Sequence, residues 1–486
     1  MRGALLVAGT SSDAGKSVLV AGICRWLARQ GVAVAPFKAQ NMSLNSFVTV
    51  DGAEIGRAQA MQAAAARIEP TADMNPVLLK PGSDRRSHVI VRGHPYTEAD
   101  ALGYRDHAAH LKQIALESLA RLRQNYDVVI AEGAGSPAEI NLRATDIANM
   151  GLARAAGLPV IVVGDIDRGG VFAAMYGTLA LLDPADQALI AGFVINKFRG
   201  APELLAGGIE QIQQLTGRKI LGVIPWREGL RIDAEDSLAL NAAEYHGQFC
   251  GKELRIAVLK LPRISNFTDV DPLAAEPGVQ VRFVTSAAAA AAADLLIIPG
   301  SRATVADLAW LRERGLDQVI YERARTHKPV LGICAGYQML AQEIDDQVES
   351  RTGLSNGLGL LPAKVRFDNS KTLARPDGPS YEIRHGVTEI TDPDAIPFAG
   401  GCRVGAVFGT SRHGALEDNE FRRAFLTGIG FTPAPDTDYE QIRQRTLDIL
   451  GDLVAEHLDT GALAALIEHG PPPALPSVLA SLHPAR

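Results

Sequence analysis

Short apolar runs, separated by amphipathic or glycine-punctuated stretches, dominate the first half of this chain. Ala4 to Ala8, Val32 to Phe37, Val128 to Ala131, Val160 to Val163, Ile190 to Asn196 and Ile220 to Ile224 carry little but Val, Ile, Leu and Ala. Continuous apolar character, without alternation, is what a strand buried on both faces requires. These runs therefore predict a parallel sheet with helices on either side. Between Asp233 and Lys252 the pattern lapses into polar residues of no clear period, which reads as a linker. A second series then begins with Leu254 to Leu261, Val279 to Thr285, Leu295 to Ile298 and Val330 to Ile333. Gly357 to Phe367, Tyr381 to Ile390 and Arg403 to Phe408 are set apart by Pro-, Gly- and Asp-rich turns, so mixed or antiparallel strands are expected at one side of that sheet. The run Ala287 to Ala293 predicts a helix packed on the sheet. From Asp438 onward, Ile442, Ile449, Leu450, Leu453, Val454 and Leu458 recur near helical spacing among acidic residues, predicting a helix that docks on protein.

The pattern gives an α/β fold class with two doubly wound α/β domains, as expected for a chain of 486 residues. The expected units are 1–232, a linker over 233–252, a second domain over 253–430 and a helical extension over 431–486. A net charge of -7 offers no broad basic field for nucleic acid. No apolar run reaches the roughly 18 residues of a membrane span, and Met1 to Ala8 leads into a glycine turn and not a cleavage site, so a cytoplasmic protein is expected. Cys24, Cys250, Cys334 and Cys402 are scattered, which argues against a disulfide framework or a structural zinc site. Self-association as a homo-oligomer is left open.

Two turns carry chemistry. Gly9-Thr10-Ser11-Ser12-Asp13-Ala14-Gly15-Lys16-Ser17 is a phosphate loop between a strand and a helix, although Thr10 stands where the usual spacing has glycine. The backbone N–H groups around Thr10, Ser12 and Gly15 would cradle the phosphates of ATP. Lys16 would bridge the outer ones and Ser17 would bind Mg²⁺. Glu132 ends a buried strand and is the better carboxylate for the metal; Asp51 is a second candidate. Asn196 follows another strand and could contact the adenine, or simply belong to a turn. Far downstream, Gly332-Ile333-Cys334-Ala335-Gly336 reads as a strand-to-helix elbow that lifts a thiol nucleophile. The Ala335 N–H, joined by that of Gly300 after another strand, would receive an oxyanion. His413, beyond the Arg403 to Phe408 run, is the candidate proton shuttle.

Several long segments resemble the cobyric acid synthase family. They are Phe37-Lys38-Ala39-Gln40-Asn41-Met42-Ser43-Leu44-Asn45-Ser46, Met74 to Pro81, Gly164 to Gly170 and Gly332 to Leu340. The resemblance extends from Gly3 to about Gly430. It implies an N-terminal P-loop synthetase domain like dethiobiotin synthetase and a C-terminal class I glutamine amidotransferase domain. It implies ATP and Mg²⁺ as cofactors, with glutamine and a corrinoid as partners: adenosylcobyrinic acid a,c-diamide would be amidated at its b, d, e and g carboxylates. Gln338 is the implied glutamine contact. Lys38, Asn41, Asn45, Asn75 and Lys80 are implied corrinoid contacts, with Arg85 and Arg86 equally readable as surface residues. In two places the chain departs from the common amidotransferase pattern. Ala415 stands two residues after His413, where a triad glutamate is common, so the acid that orients His413 is missing from its usual place. Ala335 replaces a frequent glycine. Arg384, within Tyr381 to Gly386, stands where the family often has histidine.

Three other readings compete: a related amidoligase such as cobyrinic acid a,c-diamide synthase or CTP synthase, a partitioning-type ATP switch with a degenerate second domain, and a stand-alone glutaminase. The Lys38 to Ser46 segment disfavours the first, the presence of both Cys334 and His413 the second, and the intact phosphate loop the third.

Overall fold

The computed structural model describes residues 1–81, 86–100, 103–228, 230, 254–376 and 378–478. The expected linker and Arg85 lie outside the described residues. In the first unit the strands, in chain order, are β1 (Gly3–Gly9), β2 (Val34–Phe37), β3 (Gln40–Met42), β4 (Ser46–Val48), β5 (Glu54–Gly56) and β6 (Val77–Pro81). β7 (Arg86–Val91), β8 (His94–Asp100), β9 (Val128–Glu132), β10 (Val160–Asp165), β11 (Ile190–Phe198) and β12 (Lys219–Pro225) follow. All six apolar runs of the first half fall in one parallel sheet of order β12-β11-β10-β1-β9-β2. Its two faces are covered by separate apolar clusters, one around Leu6, Phe37, Val162 and Phe193, the other around Leu5, Val7, Ile161 and Val194. From β1 the chain passes to one side of the sheet and later returns to the other. The carboxyl ends of β1, β9 and β10 therefore border the crevice in which such sheets hold ligands.

Polar strand pairs were not legible in the pattern. β3-β6-β7-β8 form a small four-stranded sheet, and β4 and β5 form a hairpin. Their residues mix buried polar with apolar positions, so neither a strand nor a helix period stands out.

The second unit comprises β13 (Leu254–Leu259), β14 (Ile264–Ser265), β15 (Val279–Val284), β16 (Leu295–Ile298), β17 (Gly300–Ser301) and β18 (Val330–Ile333). Then come β19 (Glu343–Asp346), β20 (Gly353–Asn356), β21 (Ala363–Ala374), β22 (Glu382–Ile390), β23 (Ile396–Phe398), β24 (Gly401–Val404) and β25 (Val407–Thr410). The main sheet runs β15-β13-β16-β18-β25-β24-β23, parallel through β25 and antiparallel at the β24 and β23 edge. β20-β19-β21-β22 form a second, mixed sheet. Two expectations change here. Arg403 to Phe408 is not one strand, because Gly405 at φ 56° turns the chain back between β24 and β25. Gly357 to Pro362 is not strand either. The N–H groups of Leu358, Gly359 and Leu360 instead donate to the carbonyls of Met339, Ala341 and Leu340, which a helix end leaves without partners.

The helices that matter for the sites are α1 (Lys16–Arg29), α2 (Arg57–Ala65), α3 (Ala335–Leu340), α4 (Tyr439–His457) and α5 (Thr460–His469). Among the described residues no helix is long and apolar enough to cross a membrane. The acidic helix α4 lies on α1 of the first unit, with Leu447, Leu450, Leu453 and Val454 in that unit's core. Arg25 donates to Asp448 at 2.8 Å and to Gln444 at 2.8 Å, and Arg29 pairs with Asp452 at 2.6 Å. The helices approach so closely at Gly22 that an added Cβ would stand 2.7 Å from the Leu450 carbonyl oxygen. Gly22→Val is accordingly expected to lower the melting temperature, through the roughly 1–3 kcal/mol that overpacking costs. Calorimetry on the full chain tests it, and an unchanged melting temperature would contradict this packing.

Candidate active sites

At the carboxyl end of β1 the chain turns through the phosphate loop and enters α1. Gly15 adopts φ 104°, a left-handed conformation open to glycine, and an added Cβ would collide with the Asn196 amide. Asn196 Nδ2 donates to the Ala14 carbonyl at 3.0 Å, so this side chain supports the loop from below. Lys16 Nζ lies across the loop, donating to the carbonyls of Ser11 at 2.9 Å and Gly135 at 3.0 Å. Thr10 is half-buried and Ser12 exposed along the same turn. Lys197 ties the loop to β10, donating to the Asp13 carbonyl at 2.7 Å and to Asp165 at 2.8 Å.

Glu132 ends β9 beside the loop and is completely buried. Its Oε1 accepts from Ser17 Oγ at 2.8 Å and from Lys38 Nζ at 2.8 Å, and its Oε2 accepts from Gln62 Nε2 at 2.5 Å. Gln62 had no motif to mark it, lying in the alanine-rich α2. Asp51 is not part of this cluster. It is exposed in the β4–β5 turn, where it accepts from Thr49 Oγ1, and neighbouring Gly52 faces the Leu373 carbonyl of the second unit. The hairpin, unseen in the sequence pattern, carries Asp51 to that position. Among the described residues no group of three or more His, Cys, Asp and Glu side chains could hold a metal. Ser17 and Glu132 still offer two hard oxygens, a donor type that suits Mg²⁺ when phosphates and water complete its shell.

The segment from Lys38 to Ser46 is mostly buried and hydrogen-bonded, with Met42 its exposed member. Lys38 belongs to the phosphate-loop side through Glu132. Asn41 Nδ2 donates to Gln59 at 2.9 Å. Asn75 joins three segments, accepting from Gly56 N at 3.0 Å while donating to the carbonyls of Lys38 at 3.1 Å and Val77 at 3.0 Å. The buried Asn45 gives its carbonyl to the first N–H of α2, that of Arg57, at 3.0 Å. Lys80 Nζ donates to Ser46 Oγ at 3.0 Å and to the buried Glu54 at 2.6 Å, and Glu54 also receives Lys371 from the second unit. Burial lowers the Lys80 ammonium to about 8, aided by Lys371 and Arg302 and opposed by Glu54.

Lys80 lines a pocket that also contains Cys334, Gln338, Arg302, Glu349 and His413, so a first-unit residue reaches the thiol site of the second. Cys334 stands between β18 and α3 at φ 53° and ψ −105°, a conformation costing roughly 1–3 kcal/mol for a residue with a side chain. The flanking Gly332 and Gly336 are not themselves the strained residues of this turn. Neither has a positive φ; they provide room, since a Cβ on Gly332 would stand 2.6 Å from the Gly336 carbonyl oxygen and one on Gly336 would strike that of Ile298. The strain rests on the cysteine itself. Ala335 N–H opens α3, and Gly300 packs so close to His413 that an added Cβ would be 3.1 Å from its ring. Gln338 lies along the pocket, accepting from Thr304 Oγ1 at 3.3 Å and donating to the Gly386 carbonyl at 3.4 Å.

The carboxylate beside His413 is that of Asp269. Its Oδ2 lies 2.7 Å from His413 Nδ1, and its Oδ1 accepts from Gly414 N at 2.8 Å. Asp269 precedes both Cys334 and His413 in the chain, in the Phe267–Val270 turn that follows β14. It lies far from the stretch after the histidine, where the chain has Ala415. Only its place beyond β13, at the sheet end that also bears Gly300, Cys334 and His413, could have signalled it. Burial alone would lower the His413 imidazolium, but the Asp269 and Cys334 charges outweigh burial and raise it to about 10. A raised value favours the protonated ring beside Cys334. Arg384 bonds Glu382 at 2.9 Å and the Gly386 carbonyl at 2.9 Å, bracing β22 beside the thiol.

A nucleotide loop in one unit and a thiol–imidazole–carboxylate set in the other define a glutamine-dependent amidoligase. The comparisons agree. Residues 5–239 match the CobQ/CobB/MinD/ParA nucleotide binding domain, and residues 255–421 match the CobB/CobQ-like glutamine amidotransferase domain. The chain is 59% identical to a cobyric acid synthase of Streptomyces coelicolor, covering 98% of this chain and 99% of that one. It is 58% identical to one of Frankia casuarinae over 98% of this chain and 99% of the relative, and 53% identical to one of Mycolicibacterium smegmatis over 99% of each. The chain belongs to the cobyric acid synthase family.

Asp269→Asn keeps the side-chain shape but removes the charge that holds His413 protonated. Protonation of His413 is complete well below about 10 and is lost as pH rises through that value. The alkaline limb of glutamine hydrolysis is therefore expected at lower pH in Asp269→Asn, with kcat reduced about 100-fold or more. A pH–rate profile checks both, and superimposable profiles would contradict the pairing.

Proposed function

We propose that this chain spends ATP and glutamine to amidate the b, d, e and g carboxylates of adenosylcobyrinic acid a,c-diamide, giving adenosylcobyric acid for cobalamin biosynthesis. The observation that carries this reading is the strained Cys334 beside the His413–Asp269 pair, in the same chain as a phosphate loop backed by Glu132. Family membership directs it to the corrinoid. Residues 1–232 would house the synthetase step and residues 253–430 the glutaminase step. The cytoplasm supplies ATP and glutamine together.

In the glutaminase step the Cys334 sulfur adds to the side-chain amide carbon of glutamine, and the oxyanion faces the N–H groups of Ala335 and Gly300. His413 gives a proton to the departing ammonia, leaving a thioester. Water then attacks the thioester as His413 takes its proton back, and glutamate leaves from the sulfur. Asp269 holds the ring and its charge throughout, while Gln338 orients the substrate along the pocket.

In the synthetase step a corrinoid carboxylate oxygen attacks the γ-phosphorus of ATP and ADP departs. Ammonia then attacks the acyl phosphate, and phosphate leaves with its bonding electrons. Lys16, released from the Ser11 carbonyl, and Lys38 neutralise charge on the phosphates, with Thr10, Ser12 and Gly15 lining the loop and Asn196 supporting it. Ser17 and Glu132 would hold Mg²⁺, which when bound offsets phosphate charge. Asn41, Asn45 and Asn75 fix the shape of the segment that would meet the corrinoid, while Lys80, paired with Glu54, lines the pocket of Cys334 and acts from that side.

Mass spectrometry of the corrinoid after incubation with ATP, Mg²⁺ and a nitrogen source tests the assignment. Cys334→Ala is expected to lose glutamine-fed amidation by at least about 1,000-fold, the scale for removing a nucleophile, and to keep ammonium-fed amidation. Full glutamine use by that variant would refute the nucleophile.

A further inference from the structure

The shuttle histidine is held from outside its own unit. Tyr381 and His413 exchange backbone hydrogen bonds, with Tyr381 N donating to the His413 carbonyl at 2.9 Å and His413 N to the Tyr381 carbonyl at 2.8 Å. Their rings stack with centroids 5.5 Å apart and planes 28° apart. Arg57, the first residue of α2 in the nucleotide-binding unit, reaches across to this pair and is almost fully buried. Its Nη1 donates to the Tyr381 hydroxyl at 3.3 Å, and its Nη2 donates to Glu417, four residues beyond His413, at 2.6 Å. The guanidinium also lies 5.6 Å from the Phe47 ring centre and 5.9 Å from that of Tyr381. Arg57 therefore contacts the chain on both sides of His413 without touching the pocket that holds the thiol.

The hairpin that precedes Arg57 grips the other member of the pair. Ser46 N donates to Asn266 Oδ1 at 2.8 Å, and Asn266, at φ 49°, sets the turn that bears Asp269. Phe47 packs on Tyr381 with ring centres 5.1 Å apart, and Val48 shares a small buried cluster with Tyr381 and Ile383. At its other end α2 carries Gln62, which donates to Glu132 and, at 3.3 Å, to the Ser17 carbonyl. One nine-residue helix thus spans from the nucleotide-site carboxylate to the residues that flank His413.

We propose that Arg57 is a positioning residue for glutamine hydrolysis: through Tyr381 and Glu417 it holds His413 over Cys334, and α2 links that hold to the nucleotide site at Gln62. The proposal rests on the reading of Cys334, His413 and Asp269 as the glutaminase set. A planar guanidinium suits this role because its fork serves two acceptors while its face lies against rings, which an ammonium cannot reproduce. A rearrangement of the Glu132 cluster when nucleotide binds would reach His413 through a rigid helix, making hydrolysis depend on the synthetase side.

Kinetics of the full chain test this with Arg57→Met, Arg57→Lys, Tyr381→Phe and Cys334→Ala. Arg57→Met is expected to lower kcat for glutamine hydrolysis about 10- to 100-fold, the scale on which a misplacement of about 1 Å acts, with KM for glutamine changed less than about threefold. Ammonium-fed amidation should fall far less than glutamine-fed amidation. Arg57→Lys, which keeps the pair with Glu417, should recover part of the loss. An unchanged kcat in Arg57→Met would overturn the proposal, and so would equal losses of glutamine-fed and ammonium-fed activity that Arg57→Lys does not relieve, since that marks lost packing between the units. If Arg57→Met does not fold, Tyr381→Phe decides. It keeps the ring on His413 and removes only the acceptor, so a kcat lowered at constant KM supports the proposal and an unaltered kcat overturns it. The two readings separate cleanly. Glutamine hydrolysis surviving in Cys334→Ala sinks the glutaminase assignment and the proposal with it, whereas a dead Cys334→Ala beside a fully active Arg57→Met sinks the proposal alone.

Discussion

A carboxylate in a place water does not reach must be fully answered by its neighbours, and Glu132 imposes that condition on the nucleotide unit. Ser17 from α1, Lys38 from the end of β2 and Gln62 from α2 all converge on it. Removing one partner of such a buried pair typically costs about 3–5 kcal/mol, so the three segments cannot drift apart independently. The phosphate loop therefore has a fixed floor. Because α2 is one of the three, the same constraint extends to Arg57 and the second unit. The geometry of the thiol site depends in part on a charge that sits in the other domain.

Within the second unit, strain and charge are concentrated where the chemistry lies. Cys334 bears an unfavourable backbone conformation that the tight packing of Gly332 and Gly336 over-determines. The charges of Asp269 and Cys334 raise the pKa of the neighbouring imidazole despite its burial. The carboxylate that meets His413 comes from an earlier turn and not from the stretch after the histidine. On the proposed reading the three take the familiar roles of nucleophile, shuttle and orienting carboxylate, which geometry defines and chain order does not.

The parallel cores were legible because apolar continuity has a single physical cause, burial on both faces. Every run read as a strand between Ala4 and Ile333 overlaps a strand of one of the two main sheets. The phosphate loop and the elbow were legible because their residue types are tied to local turns. What escaped were features made by contacts distant in sequence. The small sheet around β6 and the β4–β5 hairpin are held by buried polar groups such as Asn75, Lys80 and Glu54, which carry no periodic signature. Asp269 meets His413 across 144 positions, and Arg57 meets Glu417 across 360. Asp51 looked suited to a metal in isolation and proved to be the tip of the hairpin that faces the second unit. Gly405 split an apparent strand because its turn needs only one left-handed residue.

The account stands on two chemistries meeting in one chain, so the most direct measurement is stoichiometric. Full-length protein supplied with ATP, Mg²⁺, glutamine and the corrinoid diamide should yield one ADP and one glutamate for each new amide counted by mass spectrometry. Amides accumulating without ADP, or ADP and glutamate accumulating while the corrinoid keeps its mass, would contradict it.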